Sequence, residues 1–524
     1  MALLDLFRSF RGPLVRPADA ANSEGAPAYA LTPEHELAQL VSTGCLAGTF
    51  YATAGEQLEQ TLALAGRVAP EFVAKAAVVA RARGRMKDAT ALLVATLATR
   101  APALFAAVFP RVIDDGRMLR TFVQIVRSGV TGRKSLGTLP RRLVRGWLEA
   151  RSDEAVLRAS VGTSPSLADV IRMVHPAPAT PSRSALYAWL LDRPHDAAAL
   201  PDVVRRFEAW KAAPSDDVPD VPFLLLTSAP LSATAWASIA RRASWQTTRM
   251  NLATFARHGA FAADPGLAAV LAARLADRDE VLRARAFPYQ LLAAYRACDA
   301  TIPAEVKDAL HTALEVALEN VPTIDGRVHV FVDVSGSMRS PVTGARGTGS
   351  TSITCLDVAA LFAAAILRKN PRATVTPFHQ EVVDVRLEPR DSVLSNAARL
   401  AALPSGGTNC SAPLLRLNQR RIPGDLVVYL SDNESWVDAA AGRGTAVLEQ
   451  WSAFRLRNPS ARMVCVDLQP NRTTQAAECK DVLNVGGFSD TVFDLVADFA
   501  AGRLAPDAWV ASIHAVDLFP PSAA

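Results

Sequence analysis

The stretch Val328-His329-Val330-Phe331-Val332-Asp333-Val334-Ser335-Gly336-Ser337 decides the fold. An apolar run rich in β-branched residues, closed by a glycine-containing turn, predicts a buried parallel strand. It ends in one carboxylate and two hydroxyls, at the strand end where open α/β sheets bind ligands. Downstream, strand-like runs at 373–378, 425–430 and 461–468 alternate with helical segments at 356–368, 392–402, 412–417 and 446–457. That alternation predicts a doubly wound α/β domain.

Upstream the pattern is helical. Thr32-Pro33-Glu34 is an N-cap with proline at the first helical position. Helical segments follow at 55–68, 70–83, 88–100, 101–114, 115–128, 139–149, 153–160, 166–175, 182–191, 203–212, 232–241, 244–256, 265–275, 283–298 and 303–321. The single strand-like stretch is 223–227. Many short amphipathic helices with brief connections predict an all-α, HEAT-like helical-repeat domain, although no fixed period emerges. A chain of 524 residues exceeds one hydrophobic core. The expected division is a loosely held arm over 1–30, the helical domain over 31–322, the α/β domain over 323–510, and a tail over 511–524 returning to the helices.

The net charge is +5, and the excess lies in the first part. Residues 1–320 carry 37 Lys/Arg against 31 Asp/Glu, and residues 321–524 carry 19 against 20. From Gly116 to Leu148 there are eight basic residues and no acid. Cys45, Cys298, Cys355, Cys410, Cys465 and Cys479 form no C-x-x-C pair, which excludes a zinc site and a disulfide framework as readings. The first residues lack a secretory h-region, and the most apolar run, 358–367, is too short to span a bilayer. A soluble, monomeric cytoplasmic protein is expected.

The basic run comprises Arg117, Arg120, Arg127, Arg133-Lys134 in a glycine-flanked loop, and Arg141, Arg142 and Arg145. Arginine's planar fork binds two phosphate oxygens at once, and the absence of acids points to nucleic acid. Aromatics are only 6% of the chain, which leaves no base-stacking platform. Recognition by shape and backbone charge is expected. His175 and His258 stand at helix ends, where capping and packing roles are expected.

A second carboxylate, Asp432, ends the strand-like run Tyr429-Leu430-Ser431-Asp432, and Ser405-Gly406-Gly407-Thr408-Asn409 offers a further hydroxyl. Asp333, Ser335, Ser337, Thr408 and Asp432 form a hard oxygen set with two carboxylates, suited to Mg²⁺, with Mn²⁺ as the alternative. Waters and an open position for a partner's acidic group would complete the ion's shell. A hydrolase elbow is excluded because G-x-S-x-G is missing, and a phosphoryl-transfer aspartate because the second acid is replaced by Ser335. No nucleophile and base are paired, so no catalytic residue is assigned and no enzymatic activity is expected. The polar insertion 339–352 beside the site is expected to be mobile and to gate access.

Asp-x-Ser-x-Ser, a Gly-Thr loop and a strand-end Asp together resemble the metal-ion-dependent adhesion site of von Willebrand factor A domains. A helical array followed by such a domain resembles the Ro autoantigen family, whose TROVE module is an RNA-binding ring of helical repeats. The likeness is carried by Leu46-Ala-Gly-Thr-Phe-Tyr-Ala-Thr53, Arg127-Ser-Gly-Val-Thr-Gly-Arg-Lys-Ser-Leu-Gly137, Leu167-Ala-Asp-Val-Ile-Arg-Met-Val-His-Pro176, Arg249-Met-Asn-Leu252, Phe287-Pro-Tyr-Gln290 and Ser431-Asp-Asn-Glu-Ser-Trp436. The resemblance implies a bacterial member binding small structured, Y-type RNAs and single-stranded 3′ ends of misfolded or precursor RNAs. It also implies work alongside an exoribonuclease such as polynucleotide phosphorylase. By position, the family's basic surface falls on Arg127, Arg133, Lys134, Arg141, Arg142 and Arg172. Animal members carry His and Lys just before the position of Asp169, where this chain has Leu167 and Ala168. The alternative reading is an adaptor whose A domain docks a partner, such as an AAA+ ATPase, through the metal.

Overall fold

The structure, a computed structural model, describes residues 15–227, 229–319, 321–343, 353–438, 444–487, 491–504 and 507–519. These divide into two compact units. One comprises the residues up to 57 together with those between 320 and 512; the other comprises 58–319 together with those from 513 onward.

The opening stretch is a strand, β1 (Val328–Asp333), buried at every position. It lies inside a five-stranded parallel sheet with β2 (Thr374–Phe378), β3 (Leu426–Ser431), β4 (Arg462–Asp467) and β5 (Val482–Gly486), in the order β2-β1-β3-β4-β5. The order reverses between β1 and its neighbours, so Asp333 and the end of β3 both point to the crevice at the topological switch point. Helix Cys355–Lys369 covers the sheet and buries every side chain from Cys355 to Leu367, which accounts for its unbroken apolar run. A Thr354/Asp357 capping box starts it, and Arg368 and Lys369 face the negative end of its dipole. Phe331, Phe378, Tyr429, Trp451 and Phe454 belong to the hydrophobic cluster on the sheet. Strand β5 and helix Thr491–Ala500 continue the alternation beyond what the sequence pattern predicts.

Residues 15–30, expected as a loose arm, are held within this first unit. Strands Ala20–Ala21 and Pro27–Ala30 pair with each other, and the second pairs with Thr473–Thr474. Tyr29 is buried, and its hydroxyl donates to the Arg16 carbonyl at 2.6 Å. One large aromatic among small residues supplies the apolar surface that such a short segment needs to stay docked. Helix Pro33–Thr43, capped by Thr32 as expected, lies against β5. Gly486 gives it room, since a Cβ there would come within 2.8 Å of Gln39. The Gln39 amide donates to Asp467 at the end of β4, and Asn433 donates to the same oxygen at 3.3 Å.

Burial pushes the Asp467 carboxyl up to about 8 despite those two donors. The folded state therefore holds the proton more tightly than the unfolded chain, whose carboxyl titrates near pH ~4. Stability from this site is complete below that pH and declines as pH rises through about 8. The Asp467→Asn variant should melt with the wild type at acid pH and several degrees above it near pH ~8. Thermal melts across that range check this, and parallel profiles would overturn it.

The second unit is helical throughout its described residues. Successive helices from Pro70–Ala82 to Gly116–Ser128 pack on one another around Phe105, Phe109 and Phe122, whose rings meet at 5.2–5.7 Å. The stretch expected as a strand, 223–227, holds a short helix, Phe223–Leu226, opened by Pro222. The expected helix 283–298 is two helices, Arg278–Ala284 and Pro288–Arg296. Arg285 takes a left-handed conformation between them, and Pro288 starts the second. His175 is a left-handed C-cap, and His258 stacks on Trp236 at 4.4 Å.

Arginine has a structural task in this unit that composition does not reveal. Side chains reach across to carbonyls at the ends of neighbouring helices: Arg100 to Gly66, Arg120 to Ala159, Arg183 to Leu148, Arg274 to Ala240 and Arg85 to Ala284. Each supplies a donor to a carbonyl in the last turn of a helix or just past it, at that helix's negative end. Part of the basic excess is therefore committed to holding helices together.

Candidate metal centre and basic surface

Strand β1 delivers Asp333, and the turn after it delivers Ser335 and Ser337, all nearly or fully buried. Asp333 accepts from the Ser335 backbone N–H at 2.8 Å and from the Ser431 hydroxyl at 2.6 Å. The Ser335 and Ser337 hydroxyls are 3.2 Å apart. The Gly336 N–H donates to the Gly406 carbonyl at 3.1 Å, which ties the Ser-Gly-Gly-Thr loop to this turn. Small residues suit that loop: a Cβ at Gly407 would come within 2.6 Å of Trp436, so something would have to shift, and one at Gly406 would press on His379 at 3.1 Å. Thr408 follows, buried, its carbonyl accepting from the backbone N–H groups of Trp436 and Val437.

Asp432 stands immediately after β3 and is fully buried, yet among the described residues neither carboxylate oxygen meets a hydrogen-bond partner. The Ser337 hydroxyl and the Glu434 amide lie close enough to ease its charge without completing such a bond. Burial, and then the neighbouring Asp333, drive the Asp432 carboxyl far above the carboxylate range. Burial raises Asp333 as well, against the bonds from Ser335 and Ser431. Two dry carboxyl groups side by side, one of them without a hydrogen-bond partner among the described residues, are costly in the protein alone, a cost that a cation would relieve. Among the described residues no group of three or more His, Cys, Asp or Glu side chains could hold a metal. An ion here would rest on two carboxylates and on hydroxyls, a donor set that fits a hard cation.

Sequence pattern overlooked several groups at this site. Ser431 bridges Asp333 and the Asn433 amide. Asn433 takes a left-handed conformation that turns the chain after Asp432. Glu434 follows, buried, and accepts from Ser23 of a distant segment. Position at a strand end would have found Ser431; nothing local would have found the Ser23 contact. The expected gating insertion is described only to residue 343 and from 353 onward, and 344–352 lie outside the described residues.

The basic residues lie in the second unit. Arg127 ends helix Gly116–Ser128, Arg133 and Lys134 sit in the following loop, Arg141, Arg142 and Arg145 lie on helix Thr138–Glu149, and Arg172 lies on helix Leu167–Val174. Arg127 reaches the Met173 sulfur at 3.6 Å, and Arg145 donates twice to the Val174 carbonyl, so the three helices share one surface. Within it the residues differ. Arg133 donates to the Ala98 carbonyl at 3.1 Å, and Arg172 pairs with Asp169 at 3.2 Å across an exposed gap. Lys134, Arg141 and Arg142 are exposed, and among the described residues they have no hydrogen-bonding or ionic partner. Leu167 is buried. No helix among the described residues is long and apolar enough to cross a membrane.

Residues 327–500 match the family described as the Ro60 vWA domain. The chain is 27% identical to a protein of Deinococcus radiodurans named RNA-binding protein RO60, with 92% of this chain and 95% of that one aligned. The crystal structure of the Deinococcus radiodurans Ro (RSR) protein superposes with a TM-score of 0.62 at 22% identity, covering 90% of this chain and all of that one, and so shares the fold. The sheet with its strand-end aspartates, the helical unit and the near full-length likeness agree: residues 327–500 match the Ro60 vWA domain family, and the chain as a whole is similar to Ro proteins in sequence and fold.

Proposed function

We propose that this protein binds RNA through the basic surface of its helical unit. The single observation that carries this reading is the exposed, unpartnered set Lys134, Arg141 and Arg142, in a stretch of 33 residues without an acid. Free guanidinium and ammonium groups on an exposed helical surface suit phosphate oxygens, and the scarcity of aromatics favours structured RNA read by shape. Arg127 and Arg172 extend the surface, while Arg133 and Arg145 hold helix ends beneath it. The related Deinococcus protein is named for RNA binding, which supports the reading. The RNAs are small structured species and single-stranded 3′ ends, presented to an exoribonuclease in quality control or maturation, with no chemistry performed by this chain. Sequencing the RNA that co-purifies with the full chain, in wild type and in the triple Ala variant at Lys134, Arg141 and Arg142, tests it. Equal recovery of RNA from both would overturn it.

The A domain, in the same reading, holds Mg²⁺ through Asp333, Ser335, Ser337, Thr408 and Asp432. The orphaned Asp432 carboxylate supports this assignment. When bound, the ion supplies positive charge to two buried carboxylates and thereby stabilises the loops that carry them.

A further inference from the structure

Arg117 and Arg120 belong to the acid-free run but not to the surface around Lys134. They stand near the start of helix Gly116–Ser128, and the loop with Lys134 follows its far end. At ~1.5 Å of rise per residue the two ends are roughly 18 Å apart. Two crevices open at this start, of about 380 and 510 Å³, and they share Arg158 and Val161 in their walls. The smaller is walled by Arg117, Arg120, Arg151 and Arg158. Two of these are fixed by the fold. Arg120 donates to the Ala159 carbonyl at 2.7 Å and to that of Val161, and a Cβ at Gly162 would collide with its guanidinium. Arg151 donates to the Asp114 carbonyl at 3.2 Å and lies over the Trp147 ring at 4.8 Å. Arg117 and Arg158 are exposed, and among the described residues neither has a hydrogen-bonding or ionic partner.

The acids of this crevice, Asp114 and Asp115, are already engaged. Arg81 pairs with both, and Asp115 also accepts from the Met118 N–H at 2.7 Å. With Arg81 counted, five guanidinium groups stand against two carboxylates, which leaves the crevice positive. The larger crevice has an apolar floor. Phe223 and Leu224 line it with Pro222 and Ile239. Trp236 backs the Phe223 ring at 6.2 Å, while Leu224 is 55% exposed, apolar surface that water covers at a cost. Arg242, which gives one nitrogen to the Val218 carbonyl, and Asp220, which has no hydrogen-bonding or ionic partner among the described residues, supply its charge.

We propose that the paired crevices form a site for a nucleoside 5′-phosphate, with the phosphate between Arg117 and Arg158, the sugar hydroxyls at Asp220 and the base on Phe223 and Leu224. The planar fork of each free arginine matches phosphate oxygens, and Arg120 and Arg151, locked in place, keep the field positive without closing the space. A carboxylate beside an apolar floor suits a pair of hydroxyl donors, and a ring held from behind suits a stacked base. Both volumes fall within the roughly 300–1,000 Å³ of small-ligand sites. A free nucleotide and the 5′-terminal nucleotide of an RNA present this same chemistry. The site is separate from the surface at Lys134, Arg141 and Arg142 and does not depend on it.

Calorimetric titration of the full chain with AMP, adenosine and inorganic phosphate tests it. AMP should bind saturably and more tightly than either of its parts. The double variant Arg117→Ala and Arg158→Ala should bind AMP more weakly, on the order of tenfold for each arginine, the scale of a lost charged bond. It should melt with the wild type, since neither side chain holds the fold. Asp220→Asn should reduce the preference for AMP over 2′,3′-dideoxy-AMP and leave phosphate binding unchanged. A wild-type chain that binds no AMP, equal binding by wild type and double variant, or inorganic phosphate bound as tightly as AMP would each overturn the proposal. Competition in the triple Ala background at Lys134, Arg141 and Arg142 separates the two sources. Displacement of AMP by a short RNA with a 5′-phosphate, and not by the same RNA with a 5′-hydroxyl, assigns the site to RNA ends, and displacement by neither assigns it to the free nucleotide. Equal displacement by both would show binding of RNA backbone and overturn the nucleotide site.

Discussion

Charge reversal at Lys134, Arg141 and Arg142 is expected to reduce RNA affinity steeply and to flatten its salt dependence. Each phosphate contact releases counterions worth about 0.7–0.9 in the logarithmic salt slope, so three contacts account for roughly 20- to 40-fold over a fourfold rise in salt. Reversal adds repulsion to that loss, and the effect should be largest at low ionic strength, where screening is weakest. The prediction separates these three residues from Arg145, although all lie in the same acid-free run. Arg145 donates two bonds to the Val174 carbonyl, so Arg145→Ala should lower the melting temperature by leaving that helix end unpaired. Titrations of a structured RNA and of a 3′-tailed RNA over a salt series, with melts of each variant, provide both readouts. An unchanged salt slope in the triple variant would move the binding surface elsewhere.

Magnesium should raise the melting temperature of the wild-type chain, and Asp432→Asn should abolish that increment while raising the baseline in chelator. The two effects have opposite signs for one reason. Without an ion, burial and the neighbouring Asp333 force the Asp432 carboxyl to hold a proton that the unfolded chain would release, and an amide removes that cost. With an ion, the lost carboxylate removes the attraction that outweighed it. At an ion concentration of ~100 Kd the binding contributes about 2.7 kcal/mol, equivalent to roughly 5–10 °C for a unit of this size. Chelation should reverse the wild-type shift completely. Equal magnesium shifts in wild type and variant would show that the ion, if bound, does not use Asp432.

Local pattern carried much of this far. Val328–Asp333 was legible as a buried strand because its run is apolar on both faces, which only a covered parallel sheet tolerates. The strand-end positions of Asp333 and Asp432, and the glycines that let the Thr408 loop approach, follow from the same local chemistry. The helices were legible from caps such as Thr32, Ser166 and Thr354, each of which accepts from the backbone N–H three residues on. Where pattern misled, the cause was equally local: Phe223–Leu226 is as apolar as a strand, and only Pro222 and the helix it opens show otherwise.

By itself, then, the amino-acid sequence determined the two kinds of architecture, the oxygen set at the sheet's edge and the position of the basic run, because periodicity, capping and charge spacing act over a few residues. Tertiary structure alone decided which basic residues remain available. Arg133 and Arg145 look like Lys134 and Arg142 along the chain, but helix ends brought from 29 residues or more away accept from one nitrogen of Arg133 and from two of Arg145. It alone placed Ser23 at Glu434, a contact across hundreds of residues that no spacing encodes. Whether a charged or polar group is spent on the fold or left for a ligand depends on what the rest of the chain brings to it.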